Sequence, residues 1–212
     1  MRIALPALFL FAACHTAPSP TPGALGFDDL DSSAWHVAST GGHGPDATWA
    51  IHRDPGAVSA PCVVSLTSPN HQDEDRFNVF WNPGLTFGDG RIAVDVRADG
   101  GSLDQGGGPI WRVRDANNYY VCRVNPLESN FRVYVVENGV RRQLATALCD
   151  ASMGTWHRIE VDHLGEHITC KLDGKAVLNV TDGTIRAAGG VGLWSKADAR
   201  TSFDDLSVLA PR

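Results

Sequence analysis

The sequence predicts an all-β protein, a sandwich of two antiparallel sheets, and three observations carry that expectation. Short runs of alternating apolar and polar residues recur along the chain, as in "RIAVDVR" at 91–97, and a period of two marks a strand with one buried face. Two pairs of such runs fold back on Asn138-Gly139 and Asp173-Gly174, dipeptides suited to the positive φ of a type I′ hairpin turn. Beyond the first fourteen residues no stretch sustains a helical period.

The chain opens on "MRIALPALFLFAAC", which reads as a targeting segment. Arg2 gives a basic start, Ile3–Ala13 is apolar, and small residues lead into Cys14. The run is shorter than the roughly 20 residues a membrane-spanning helix needs. The close "FAAC" resembles the lipobox of bacterial lipoprotein signals, which implies acylation of Cys14 and export to the cell envelope, outer membrane or periplasmic face. Residues 1–13 are then the signal and the Pro/Ser/Thr-rich residues 14–25 an extended tether. Residues 26–210 form the folded domain, long enough for one sizeable core.

A net charge of −6 and a pI near 5.7 argue against nucleic-acid binding, which needs a basic surface to displace counterions from phosphate. Cys62, Cys122, Cys149 and Cys170 leave three disulfide connectivities open for an exported chain. They contain no CxxC pair, so a zinc ribbon is not expected.

Within "RIAVDVR" the pattern puts Ile92, Val94 and Val96 on one face and Arg91, Ala93, Asp95 and Arg97 on the other. In "GPIWRVRDANNYYVCRV" (108–124) a corner at Asp115–Asn118 pairs Trp111 with Cys122. One face then carries Trp111, Val113, Tyr120, Cys122 and Val124, and the other Ile110, Arg112, Arg114, Tyr119, Val121, Arg123 and Asn125. In the next hairpin Phe131, Val133, Val135 and Leu144 fall on the first face, with Arg132, Tyr134, Arg141 and Gln143 on the second. The candidate ligand-binding residues are therefore Arg112, Arg114, Tyr119, Arg123, Arg132, Tyr134 and Gln143. Such a mixture suits a glycan or small sugar, because aromatic faces stack on C–H patches while guanidinium and amide groups bond hydroxyls.

"FDDL" occurs at 27–30 and again at 203–206. If the first and last strands run side by side, Asp28, Asp29, Asp204 and Asp205 converge, and their hard oxygens suit a structural Ca²⁺.

The stretches "NNYYVCRVNPLESNFRVY" and "GLWSKADARTSFDDLSV" resemble the concanavalin A-like lectin/glucanase jelly rolls over roughly residues 25–209. They are most similar to the bacterial 3-keto-disaccharide hydrolase (3-keto-glucoside lyase/hydratase) domain family. The resemblance implies a jelly roll with carbohydrate bound on its concave sheet. It also implies, as an alternative, a lyase or hydrolase acting on 3-keto-glycosides, and a third reading is a non-catalytic cell-surface structural or adhesion module that uses the same sheet against protein. Glucanases of this architecture carry Glu-x-Asp-x-Glu on one strand. Here "EVDHLGE" (160–166) supplies Glu160 and Asp162, but Leu164 stands where the third acid belongs, so the retaining motif is incomplete. Glu160, Asp162 and His157 remain the catalytic candidates, by residue chemistry alone. The Gly-rich "DGGSLDQGGG" (99–108) has Asp104 and Gln105 as its polar anchors and no phosphate-loop lysine.

Overall fold

The computed structural model describes residues 24–25, 27, 30–68 and 75–211, and the signal-like segment, Cys14, Asp28 and Asp29 lie outside them. Along the described residues run β1 (Ala24–Leu25), β2 (His36–Thr40), β3 (Thr48–Arg53), β4 (Cys62–Ser68), β5 (Phe77–Phe87) and β6 (Gly90–Gly100). They continue as β7 (Gly107–Asp115), β8 (Asn118–Asn125), β9 (Asn130–Glu137), β10 (Val140–Leu148) and β11 (Trp156–Leu164). The last are β12 (His167–Leu172), β13 (Lys175–Thr181), β14 (Gly189–Lys196) and β15 (Arg200–Leu209). A 3-10 turn at Ser32–Ala34 is capped by the Asp31 side chain.

One sheet has the order β13-β12-β11-β6-β15-β4-β3 with β1 beside β15, and the other β10-β9-β8-β7-β14-β5-β2. Every pairing is antiparallel. This is the concanavalin A-like jelly-roll sandwich that the sequence predicts. The first strand does lie against the last, at Ala24↔Ser207 and Leu25↔Leu206.

The core forms where the period-two faces meet. From the first sheet come Ile92, Val94 and Val96 on β6, Ile159 and Val161 on β11, and Ile168 and Cys170 on β12. They face Tyr120, Cys122 and Val124 on β8 and Phe131, Val133 and Val135 on β9. Burying each large apolar side chain stabilises the fold by about 1.5–3 kcal/mol. Cys122 and Cys170 are buried thiols in this layer. Both hairpin dipeptides hold the expected backbone, with φ of 51° and 80° at Asn138 and Gly139 and 50° and 77° at Asp173 and Gly174.

The β7–β8 ladder departs from the regular pairing. Its register runs from Trp111↔Tyr120 to Asp115↔Asn118, so Arg112, Val113 and Arg114 together oppose Tyr119. The backbone takes up the surplus at Arg112, whose φ is 49°, as a β-bulge re-aims side chains. Trp111 stays in the core, but Val113 moves to the hydrophobic cluster on the far side of the second sheet.

Candidate functional site

Beyond the bulge, parity brings much of the predicted face together. Val121 pairs with Tyr134, Arg123 with Arg132, and Tyr119 with Val136, while Gln143 pairs with Tyr134 and Arg141 with Val136. Tyr119, Arg123, Arg132, Tyr134, Arg141 and Gln143 therefore share the outward side of the second sheet. Phe77 and Val79 of β5, Ile110 of β7 and Trp194 of β14 complete its apolar floor.

That side is deeply concave. Arg141 on β10 and Phe77 on β5 are five strands apart in sheet order, which in a flat sheet means roughly 24 Å at the usual spacing. The Arg141 guanidinium carbon nevertheless lies 4.5 Å from the Phe77 ring centre, 4.6 Å from that of Tyr134 and 6.0 Å from that of Trp194. At the other edge the Thr40 hydroxyl of β2 meets the Tyr119 hydroxyl of β8 at 2.8 Å and bonds the Ala116 carbonyl. Glycines permit the curl. A Cβ at Gly108 would fall 1.9 Å from the Cys122 carbonyl oxygen, and one at Gly192 2.2 Å from that of Phe80, as happens where backbones approach closely.

The concavity is filled by its own side chains rather than left as an open platform. Tyr119, Tyr134 and Arg123 are buried, and Trp194 Nε1 donates to the Tyr119 hydroxyl at 3.3 Å. Burial raises the Tyr119 phenol above its ordinary pKa. Burial likewise lowers the Arg141 guanidinium pKa, because a desolvated cation is disfavoured.

One end of the groove is polar. Lys196 lies 3.0 Å from Asp104, Asp104 lies 3.8 Å from Arg123, and Glu128 binds both Arg123 and Arg132 at 3.0 Å. The result is a chain of alternating charge across β14, the Gly-rich loop, β8, the β8–β9 turn and β9. Asn125 donates to Asp104 at 2.9 Å, and Asn130 to Glu128 at 2.8 Å. Burial opposes ionisation of Glu128, yet hydrogen bonds from Asn130 and Arg123, with the charges of Arg123 and Arg132, pull its carboxyl down to about 2. Burial raises Asp104, against the opposing charges of Arg123 and Lys196. The chain surfaces at Arg132 and Glu128, whose side chains are 30% and 39% exposed, and Gln143 nearby is exposed. Of these groups, Glu128, Asn130 and Lys196 were not singled out from sequence. The shared parity of Lys196 with Trp194 was the available signal.

Two predicted members do not join this cluster. Arg112 is corrected outright. The bulge turns it to one end of the sandwich, where it donates to the carbonyls of Gly88, Ile185 and Gly165 and to Asp89. Arg114, beside the β7–β8 turn, is exposed to solvent.

Glu160 and Asp162 lie on the outer side of the first sheet. Asp162 receives Arg91 at 2.6 and 2.9 Å and pairs with Lys171 at 2.9 Å, and Glu160 lies 3.5 Å from Arg91. Asp162 and Arg91 line a depression of about 550 Å³ with Thr169 and Leu209. Glu160 pairs with Ala93 near the start of β6, whereas the Gly-rich loop leaves its end at Gly100. Seven residues of strand, roughly 23 Å, keep them out of one cleft. His157 is buried, with Nδ1 2.9 Å from Asp173. Asp204 accepts from the backbone and hydroxyl of Ser59 and from the Asp205 N–H. Among the described residues no three acids, histidines or cysteines converge as a metal site.

No protein-family model matches the chain, and no curated protein matches it. Solved structures do. A carbohydrate binding module from Bacillus subtilis is 17% identical, with 82% of this chain and 93% of that one covered at a TM-score of 0.66. A β-1,3-1,4-glucanase (lichenase) derived from a mouse hindgut metagenome is 14% identical, with 89% and 98% covered at 0.60. A Bacillus subtilis protein with a galectin-like fold is 14% identical, with 86% and 92% covered at 0.58. At these identities the likeness establishes a shared jelly-roll sandwich and nothing finer.

Proposed function

We propose that this protein is a carbohydrate-binding module of the bacterial envelope that takes its ligand at the polar end of the concave sheet. The observation that carries the reading is that Arg132 and Gln143 reach solvent at one end of a groove, above buried Arg123 and Tyr134, with Glu128 fixing both guanidinium groups. Guanidinium forks and an amide give directional bonds to sugar oxygens. The Bacillus subtilis structure named as a carbohydrate binding module has the same architecture, which supports the reading by analogy.

Calorimetric titration of the purified protein against an oligosaccharide panel tests it. Arg132→Ala and Gln143→Ala, both at the open edge, are expected to weaken binding at least tenfold with thermal unfolding unchanged. Binding untouched by both substitutions rules the site out. The resemblance to 3-keto-disaccharide hydrolases supports an enzymatic alternative. It ranks second because Glu160 and Asp162 are occupied by Arg91 and Lys171. Turnover of a 3-keto-glucoside by the protein reverses that ranking. Envelope attachment rests on the lipobox-like "FAAC" ending at Cys14, and Cys14→Ser is expected to release the protein from the membrane fraction.

A further inference from the structure

We infer that the ligand of the concave sheet is an acidic glycan, whose uronate or sulfate oxygens are received by Arg123, Arg132, Arg141 and Lys196. This rests on the carbohydrate-binding reading and names its substrate class.

The first ground is an imbalance of donors and acceptors. Arg123 has a side chain only 1% exposed, and its Nε and Nη1 groups have no hydrogen-bond partner, nor does Arg141 Nη1. Asp104 stands 3.8 Å from Arg123 Nη1, beyond hydrogen-bonding range. Two acceptors of the cluster also lack a hydrogen-bond partner, Asn130 Oδ1 and Asp104 Oδ2, but the second is ion-paired with Lys196, and the remaining carboxylate contacts are made. Glu128 Oε2 accepts from Arg123, Asn130 and Arg132, and Asp104 Oδ1 accepts from Asn125 while its Oδ2 faces Lys196. A neutral sugar brings hydroxyls that need acceptors as much as donors. An anionic group brings acceptors only, and guanidinium binds such oxygens in matched, charge-assisted pairs.

Charge placement is the second ground. Four cations, Arg123, Arg132, Arg141 and Lys196, meet two carboxylates, Asp104 and Glu128, in a chain whose net charge is −6. A local positive excess inside a concave wall, on a protein negative elsewhere, focuses an anion onto that wall. Arg141 already sits against Tyr134, so the cation that would meet the anion is braced by an aromatic ring.

The test is titration of the full-length protein with three oligosaccharide sets: neutral, uronate-containing and sulfated. The expected result is binding of one or both acidic sets at least tenfold tighter than the neutral set, weakening as salt rises. Arg132→Gln, at a partly exposed position, should abolish most of that preference and flatten the salt dependence while leaving thermal unfolding unchanged. Lys196→Gln should reduce the preference in the same direction, which guards against a failure peculiar to one variant. Neutral sugars bound as tightly as acidic ones overturn the acidic assignment and leave carbohydrate binding standing. Absence of binding across all three sets overturns the carbohydrate reading itself.

Discussion

Trp111 on β7 donates its indole N–H to Nδ1 of His163 on β11, at 2.9 Å, inside the sandwich. An indole nitrogen only donates, so Nδ1 accepts and the ring proton resides on Nε2. The bond ties the two sheets together and specifies a neutral histidine.

Burial, with the charge of Arg112, lowers His163 to about 4, against about 6.5 in an unfolded chain. Between these values the unfolded chain takes up the proton and the native one does not. The contribution of His163 is therefore fully present above about pH 6.5 and is lost as pH falls towards 4, with a slope of at most about 1.4 kcal/mol per unit. Asp95 works in the opposite sense. Burial raises its carboxyl to about 6 against the pull of Arg158, so ionising it as pH rises through that range costs stability. The difference between wild type and His163→Gln thus isolates the histidine. Imidazole NMR should show His163 neutral at pH 5, with its proton on Nε2. A midpoint near 6.5 would contradict the assignment.

Arg112 is predicted to be a fastener rather than a ligand contact. Its guanidinium spans the β5–β6, β11–β12 and β13–β14 connections through Gly88, Asp89, Gly165 and Ile185. Lysine keeps the charge but not the planar fork. Arg112→Lys should cost about 2 kcal/mol or more in chemical unfolding, from several lost hydrogen bonds, and leave glycan affinity unchanged in the folded fraction.

The polar chain should respond unequally to loss of its two acids. Asp104 is buried against Arg123 and Lys196, so Asp104→Ala strands a buried cation and should destabilise by about 3 kcal/mol. Glu128 is 39% exposed, and Glu128→Gln should cost about 1 kcal/mol or less. Equal losses of stability would mean that the chain is not graded from interior to rim.

Strand faces were legible in the sequence because the pleat has a period of two. Tyr119 and Tyr120, adjacent in the chain, go to opposite sides of the sheet as the alternation requires. Arg112 was misread because its bulge needs φ of 49° at a non-glycine residue, and nothing in "WRVRDANNYY" announces that. Curvature was invisible for another reason. Parity says which side a residue takes, not how far the sheet bends, so the meeting of Arg141 with Phe77 emerges only once the sheet closes. The same bend explains why Tyr119 and Tyr134 are packed rather than presented. Glu128 escaped notice because it lies in a turn, where alternation carries no information.

The most direct measurement is arginine and glutamine side-chain NMR during titration with an acidic oligosaccharide. The Nε–H signals of Arg123 and Arg132 and the Gln143 amide should shift in a saturable, salt-sensitive manner. Shifts confined to Arg91 and its neighbours around Asp162, with the concave sheet silent, would contradict the site.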